Sequence, residues 1–149
     1  MTLLVIGLAL FFVAHSLAVV APAWRGRTIE RIGRPAWVTL YSLLSILTLW
    51  LIVRGYSQAR VSPIVWHVPA PWMYSLARLL MVPVFPLLLA SVLPGTISRV
   101  TRHPALVAIK LWAVAHLLAN GMAADVLLFG GFLAWAVIDR ISLKRRAAS

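Results

Sequence analysis

Four histidines carry most of the chemistry that this sequence offers, and they fall into two kinds. His15 and His116 lie inside long apolar runs, whereas His67 and His103 lie in the segments that connect such runs. An ionisable side chain inside a membrane costs a few kcal/mol to insert, and residues placed there are usually functional. His15 and His116 are therefore the candidate site. For His67 we expect a place at the membrane interface. For His103 we expect a capping or head-group role beside Pro104, which suits a first helical position.

The two candidate histidines lie at similar predicted depths. His15 precedes Trp24 by nine residues, His116 follows Pro104 by twelve, and Trp24 and Pro104 mark the same predicted membrane face. At 1.5 Å per residue these separations are about 14 and 18 Å. Heme iron accepts two axial imidazoles that approach one plane from opposite sides. The same spacing also fits two unrelated buried histidines, each hydrogen-bonded to a carbonyl or a hydroxyl group.

The residues around both histidines suit a flat macrocycle with carboxylate edges. Small side chains that would leave room for it are Ala18, Ala113 and Ala119. Aromatic side chains that would line it are Phe11, Phe12 and Trp112. Basic side chains predicted near the propionates are Lys110, Arg99 and Arg102. Lys110 has a second interpretation, because a lysine near a helix end also extends to the lipid head groups.

Cysteine is absent from the chain. This excludes disulfides, thiolate catalysis, iron–sulfur clusters and cysteine-type zinc sites. Two histidines without a third ligand are poor support for zinc, which usually takes four donors.

The composition places the chain in a membrane. Of its 149 residues, 62% are hydrophobic and 11% are charged, and the mean hydropathy is +0.96. Globular domains are about half apolar and a quarter charged, so a soluble domain and a disordered chain are both excluded. Each membrane span takes about 20 residues plus a connection. Five spans therefore fit and seven do not, and a single domain over residues 1–149 uses up the chain.

Five apolar runs predict an all-α integral membrane bundle of five transmembrane helices. The runs cover residues 2–24, 36–53, 72–93, about 105–120, and 122–138. Pro83 and Pro86 should bend the third helix. Asn120-Gly121 is a turn signal that should join the last two helices as a hairpin. Small residues predict close helix contacts, and they are Ala14 with Ala18, Gly130 with Ala134, and the stripe Thr39, Ser42, Ser45 and Thr48.

The basic residues predict the topology. The chain has 14 Lys and Arg against three Asp and Glu, a net charge of +11. In a soluble chain this excess would suggest nucleic acid. Here the charges lie between apolar runs, so we expect contact with anionic lipid head groups and no nucleic-acid partner. Five spans with the N-terminus outside put ten Lys and Arg inside and two outside. The positive-inside rule therefore predicts Met1 outside and Ser149 in the cytoplasm.

Motifs along the chain resemble the NnrU family of bacterial membrane proteins. Those of the later helices are Thr101-Arg102-His103-Pro104, Leu111-Trp112, Ala115-His116-Leu117, Asn120-Gly121 and Leu128-Phe129-Gly130-Gly131-Phe132. In the first helix, Phe12 and His15-Ser16-Leu17, followed by Arg25, fit the same family. The resemblance implies the bacterial inner membrane and a setting near nitrite and nitric oxide reductases, in denitrification.

The same family includes 15-cis-zeta-carotene isomerase, a membrane enzyme that carries heme b. Similarity to its motifs implies that His15 and His116 would be the two iron ligands. A cysteine has been proposed to exchange with a ligand there, and its position falls on Ala113 in this chain. Because this chain has no cysteine, the resemblance does not imply the ligand exchange here. It does imply heme binding.

A second resemblance points to another chemistry. Arg102-His103-Pro104 is similar to the start of a late helix in isoprenylcysteine carboxyl methyltransferase-like enzymes, where the region helps to bind S-adenosylmethionine. Those enzymes carry paired glutamates further along. This chain has Asp139-Arg140-Ile141-Ser142 there, and its only glutamate is Glu30.

Three functions remain open from the sequence. The first is a membrane protein with heme b that serves nitrogen-oxide metabolism with a redox partner. The second is an isomerase or S-adenosylmethionine-dependent methyltransferase that acts on a lipophilic substrate. The third is a heme-free accessory protein of a respiratory complex. The sequence does not determine the substrate, the redox partner or the oligomeric state.

Overall fold

A computed structural model describes residues 1–93 and 95–146, without the side chains of Ala18, Val19 and Arg146. The expectations for the Ala18 side chain and for Ser149 therefore lie outside the described residues. The described part of the chain forms eight α helices: α1 (Thr2–Val20), α2 (Pro22–Ile32), α3 (Arg34–Ala59), α4 (Pro71–Met81), α5 (Val84–Val92), α6 (Thr96–Thr101), α7 (Pro104–Ala119) and α8 (Ala123–Arg146). The all-α prediction is confirmed. The helices form two compact units, one from Met1 to Ser62 and one from Pro63 onward.

In the first unit, α1 and α3 pack with their backbones in close contact at two glycines. A Cβ atom added to Gly7 would lie 2.8 Å from the Ile52 backbone nitrogen, and one added to Gly55 would meet the backbone of Leu4. Gly7 thus faces Ile52 while Leu4 faces Gly55, so the two helices run antiparallel. Small residues allow this approach where lipid provides no hydrophobic drive between helices.

The predicted stripe of small hydroxyl residues on α3 contributes to the packing only at one end. Thr48 is fully buried and Ser45 is half-buried, but Thr39 and Ser42 are exposed. The hydroxyl groups of Thr48 and Ser45 donate to carbonyls of their own helix, at Leu44 (2.9 Å) and Tyr41 (2.8 Å). They therefore need no partner on α1.

The segment after α1 is a helix, although the sequence indicated a loop. Pro22 opens α2 at a first-turn position, where its missing N–H costs no hydrogen bond. Gly33 ends the helix with a φ of 82°, a conformation that glycine adopts without strain. The axis turns by 85° between Thr2–Leu17 and Pro22–Ile32. The first transmembrane helix thus stops at Val20 instead of Trp24.

In the second unit, the predicted bend of the third apolar run occurs at its first proline. Helix α4 ends at Met81 and α5 begins at Val84, with Pro83 as its N-cap. Pro86 lies within the first turn of α5, where a missing N–H is tolerated. The two helices together form one candidate span of 22 residues, Pro71–Val92.

The predicted hairpin between the last two apolar runs is present. Helix α7 ends at Ala119, α8 begins at Ala123, and Asn120 to Met122 connect them. Asp125 accepts a hydrogen bond from the Met122 backbone N–H at 2.9 Å and is fully buried, so it caps the turn and does not meet solvent. Among the described residues outside its own helix backbone, none lies within 4 Å of a Cβ added to Gly130, so the predicted close contact is not found there.

The connection before α4 packs against this turn. The backbone N–H groups of Trp66 and His67 donate to the Gly121 carbonyl at 2.8 and 3.2 Å, and the Ala123 N–H donates to the Ile64 carbonyl at 2.8 Å. An added Cβ on Gly121 would collide with the His67 carbonyl. The start of α4 and the α7–α8 turn therefore meet at one end of the second unit.

The prediction of several membrane-spanning helices is confirmed, but the number five is not. Among the described residues, Arg34–Ala59, Pro71–Val92 and Ala123–Arg145 are long and apolar enough to cross a bilayer, and the bent pair of α1 and α2 would be a fourth span. Helix α7 has 16 residues, which extend about 24 Å against a hydrocarbon core of about 30 Å.

Candidate functional site

His116 lies on α7, one turn before the helix ends at Ala119. Its imidazole is half-buried and stacks on the Phe129 ring of α8, with centroids 4.4 Å apart and planes 6° from parallel. The Trp112 ring meets the imidazole edge-on at 5.3 Å. These two contacts hold the imidazole plane in a fixed orientation.

Trp112 and His116 belong to one aromatic cluster that joins α7 to α8. Trp112 contacts Phe129 at 5.0 Å and Phe132 at 5.7 Å between ring centroids, both edge-on. Edge-to-face pairs of this kind add about 0.5–1.5 kcal/mol beyond their buried area. Of the predicted site residues, the structure therefore brings Trp112 to His116.

Asn120 ties the end of α7 to His116. Its side-chain amide donates to the His116 carbonyl at 2.8 Å and lies 3.5 Å from the imidazole Nδ1. The amide thus satisfies a carbonyl that the helix end would otherwise leave open. The sequence indicated Asn120 only as a turn residue.

A cavity of about 540 Å³ lies between α4 and α7, and His116 is part of its wall; we call it the His116 cavity. Spacings of three and four residues place each helix's contribution on one face. The lining residues are Tyr74, Ala77, Arg78 and Met81 from α4, and Ala115, His116 and Ala119 from α7. Small-molecule sites commonly have volumes of about 300–1,000 Å³ and apolar walls with a few polar groups. The His116 cavity fits this description.

Arg78 is the cationic side chain among the residues that line the His116 cavity. Its guanidinium bends back along α4, where Nε donates to the Tyr74 carbonyl and Nη2 to the Ser75 hydroxyl, both at 3.3 Å. A guanidinium is the side chain best suited to a carboxylate or phosphate. Its position inside an apolar run was the sequence signal that could have identified it.

The basic residues predicted beside the heme propionates lie elsewhere in the second unit. Arg99 and Arg102 are exposed, on α6 and at its C-terminal end. Lys110 is half-buried on α7, six residues before His116. None of the three lines the His116 cavity. The reason is length, because Arg102 precedes the start of α7 and His116 lies about 18 Å along that helix.

His15 belongs to the first unit and is half-buried on α1. Its Nδ1 lies 2.8 Å from the Phe11 carbonyl, and its ring stacks on Phe11 at 3.9 Å and meets Tyr41 at 5.5 Å. A proton on Nδ1 leaves the lone pair on Nε2, the tautomer that metal-ligating histidines use when a carbonyl orients them. Since α1 ends at Val20, His15 lies about 8 Å from the helix end instead of the predicted 14 Å.

The two remaining histidines lie outside the His116 cavity. His67 is exposed beside the α7–α8 turn. His103 occupies the N-cap position of α7, but its side chain makes no capping hydrogen bond. Over residues 1–93 and 95–146, no three His, Asp or Glu side chains form a group that could hold a metal ion.

These features define the class of the protein: an α-helical membrane protein whose second unit holds a histidine and an arginine at an apolar cavity. A family model described as "NnrU protein" matches residues 3–149, and the chain belongs to the NnrU family. No curated protein and no solved structure matches the chain.

Proposed function

We propose that this protein binds heme b in the bacterial inner membrane, where His116 and His15 would hold its iron, and that it serves nitrogen-oxide metabolism. The observation that carries the proposal is the His116 cavity, in which an oriented imidazole and Arg78 share an apolar wall. A heme needs an imidazole for its iron, an apolar wall for its ring and a cation for its propionates. The residues of the His116 cavity fit all three requirements on one side of the heme. The second imidazole would come from His15, which lies in the first unit.

Each residue has a defined part in this proposal. Phe129 and Trp112 orient the His116 ring, and the small side chains of Ala115 and Ala119 leave room beside it. Arg78 would pair with a propionate. Heme b held by two imidazoles supplies one-electron redox chemistry, and a redox partner would then be required.

The proposal includes the predicted topology, with Met1 outside and Ser149 in the cytoplasm. The contact between the 63–70 connection and the α7–α8 turn supports an even number of crossings between these two segments, because both lie on the same side of the membrane. The choice of the outer side rests on the positive-inside rule. Helix α7 would then cross the bilayer despite its 16 residues. A short helix of this kind is accommodated by local thinning of the bilayer.

The absorption spectrum of the detergent-purified protein, oxidised and dithionite-reduced, tests heme binding. After heme-replete expression we expect a Soret band and sharp reduced α and β bands. His15→Ala and His116→Ala should each abolish or convert the low-spin spectrum, since one axial bond is lost. His67→Ala is the matched control and should leave it unchanged. Wild-type spectra in both ligand variants would refute the assignment.

A second candidate function is catalysis on a lipophilic substrate, and the apolar wall of the His116 cavity favours it. Four of its seven lining side chains are alanine or methionine. An organic extract of protein purified without heme should then contain a bound lipophilic compound. Ala115→Trp, which fills the cavity, should remove that compound. A heme-free spectrum with an empty extract would favour the accessory function instead.

A further inference from the structure

A second cavity lies entirely within the first unit, between α2 and the start of α3. It has a volume of about 320 Å³ and is distinct from the His116 cavity; we call it the Arg25 cavity. One face of α2 and one face of α3 line it. Arg25 and Ile29 lie four residues apart on α2, and Arg34, Trp37 and Tyr41 lie three or four residues apart on α3.

The polar side of the Arg25 cavity is suited to an anion. Arg25 and Arg34 contribute two guanidinium groups, and Tyr41 and Ser42 contribute two hydroxyl groups. In the first unit the only acidic residue is Glu30, and it does not line the cavity. Arginine pairs with phosphate oxygens through two parallel hydrogen bonds, which makes it the preferred residue for phosphoryl groups.

The apolar side of the cavity indicates where such a phosphoryl group would come from. Ile29, Trp37 and Val38 line it, and Val38 is exposed on a helix that is apolar enough to span a membrane. Trp24 packs edge-on against Trp37 at 5.7 Å, and tryptophan prefers the level of the lipid head groups. A ligand here would meet cations at one end and lipid-facing side chains at the other.

We propose that the Arg25 cavity binds the phosphate of an anionic phospholipid, with Arg25 and Arg34 on the phosphate and an acyl chain along Val38. The sequence already predicts general contact between basic residues and anionic lipid. The structure adds one specific site with two named arginines. The proposal does not depend on heme, because none of its residues belongs to the His116 cavity.

Native mass spectrometry of the full-length protein, released from micelles with phosphatidylglycerol or phosphatidylcholine, measures this binding. The double variant Arg25→Gln/Arg34→Gln should retain about 30-fold less phosphatidylglycerol than the wild type, because two charge-assisted arginine–phosphate pairs are lost. A loss of about 30-fold corresponds to about 2 kcal/mol. Arg27→Gln/Arg31→Gln is the matched control on the same helix, because it removes the same charge from residues outside the cavity. It should stay within about threefold of the wild type, a difference of under 1 kcal/mol.

Four results would overturn the proposal. Equal loss in the two double variants would mean diffuse attraction to the membrane surface. Equal retention of phosphatidylcholine and phosphatidylglycerol by the wild type would remove the preference for an anionic head group. Displacement of phosphatidylglycerol by millimolar inorganic phosphate would assign the cavity to a soluble phosphoryl compound. Loss of a heme spectrum in Arg25→Gln/Arg34→Gln, with lipid retention unchanged, would assign both arginines to propionates.

A conservative double variant serves as the control for misfolding. Arg25→Lys/Arg34→Lys keeps both charges and loses the planar fork of arginine. We expect it to retain phosphatidylglycerol at a level between the wild type and the glutamine variant. A wild-type gel-filtration profile for all variants separates lost binding from lost folding.

Discussion

The cavity beside His116 is lined partly by residues of a neighbouring helix, among them Arg78. Lys110 lies on the same helix as His116 but six residues away, whereas Arg78 comes from α4 and lines the same cavity. Proximity in the sequence therefore does not indicate which cationic side chain shares a cavity with His116. Arg78 and Lys110 both lie within apolar runs, where a charge is costly, so only the packing of α4 against α7 distinguishes them.

We expect Arg78→Gln to lower heme affinity about tenfold while the absorption maxima stay at their wild-type positions. The reason is that a charge-assisted hydrogen bond to a propionate, worth about 1.5–3 kcal/mol, is lost while both axial ligands remain. Heme titration of the apoprotein measures the affinity. Arg99→Gln and Arg102→Gln are the controls and should bind as the wild type does. If they weaken binding and Arg78→Gln does not, the propionates lie at the opposite end of α7.

Gly121 is the residue of the α7–α8 turn that contacts the connection before α4. The Trp66 and His67 N–H groups both donate to its carbonyl, and its Cα faces the His67 carbonyl without room for a side chain. The 63–70 connection thus lies directly on the α7–α8 turn. The Asn120-Gly121 signal predicts the turn, but it does not predict this contact.

We expect Gly121→Ala to destabilise the protein by about 1–3 kcal/mol, the usual cost of an added methyl group that forces the backbone to move. Gly130→Ala is the control, because nothing lies within 4 Å of an added Cβ and alanine is the better helix former. Thermal unfolding in detergent should give a lower midpoint for Gly121→Ala and an equal or higher one for Gly130→Ala. Equal midpoints for Gly121→Ala and the wild type would show that the connection is not held at this point.

At the scale of elements, the antiparallel pair α1 and α3 depends on two glycines and not on the hydroxyl stripe. Gly7 and Gly55 are buried where the backbones approach, while Thr39 and Ser42 are exposed. Both helices are apolar on most of their surface, so hydropathy does not distinguish their contact face from their lipid face. The close packing of the two backbones identifies the contact face.

We expect Gly55→Ala to separate α1 from α3 and to lower the free energy of unfolding by about 1–3 kcal/mol. The added Cβ would meet the backbone at Leu3 and Leu4, which cannot rotate away as a flexible side chain can. Gly26→Ala on α2 is the control, since its added Cβ meets nothing within 4 Å. Resistance to unfolding in a denaturing detergent series measures the difference. Equal resistance of the two variants would contradict the packing.

At the scale of the whole molecule, the distribution of charge predicts the orientation of the chain in the membrane. Ten Lys and Arg lie on the predicted inner side and two on the outer side. The basic helix α2 and the basic end of α8 would both lie at the cytoplasmic surface. The predicted orientation would also place the Arg25 cavity at the negatively charged cytoplasmic leaflet.

We expect Ser62→Cys to react with a membrane-impermeant maleimide in cells whose outer membrane has been made permeable. Thr96→Cys should react only after the inner membrane is opened, because the positive-inside rule places residue 62 outside and residue 96 inside. The chain has no cysteine of its own, so each label reports one position. The reverse labelling pattern would invert the topology.

The sequence by itself determined the helices, because a chain in a bilayer must satisfy its backbone hydrogen bonds within each helix. It also determined the break at Pro83 and the turn at Asn120-Gly121, since proline removes a donor and these turn residues act locally. It identified His116 and Trp112 as candidate site residues within one apolar run. It did not determine that 22–32 forms a helix, because polar and basic residues of this kind also fill loops.

Only the tertiary structure decided which faces meet. It stacked His116 on Phe129 and brought Arg78 to the wall of the same cavity. It made Gly7 and Gly55 the contact between α1 and α3, and it brought Arg25 and Arg34 to one cavity. A periodic pattern predicts a buried face when one side of a helix is apolar and the other is polar. In lipid the outer face is as apolar as the inner one, so the rotation of each helix is set by packing that only the three-dimensional arrangement contains.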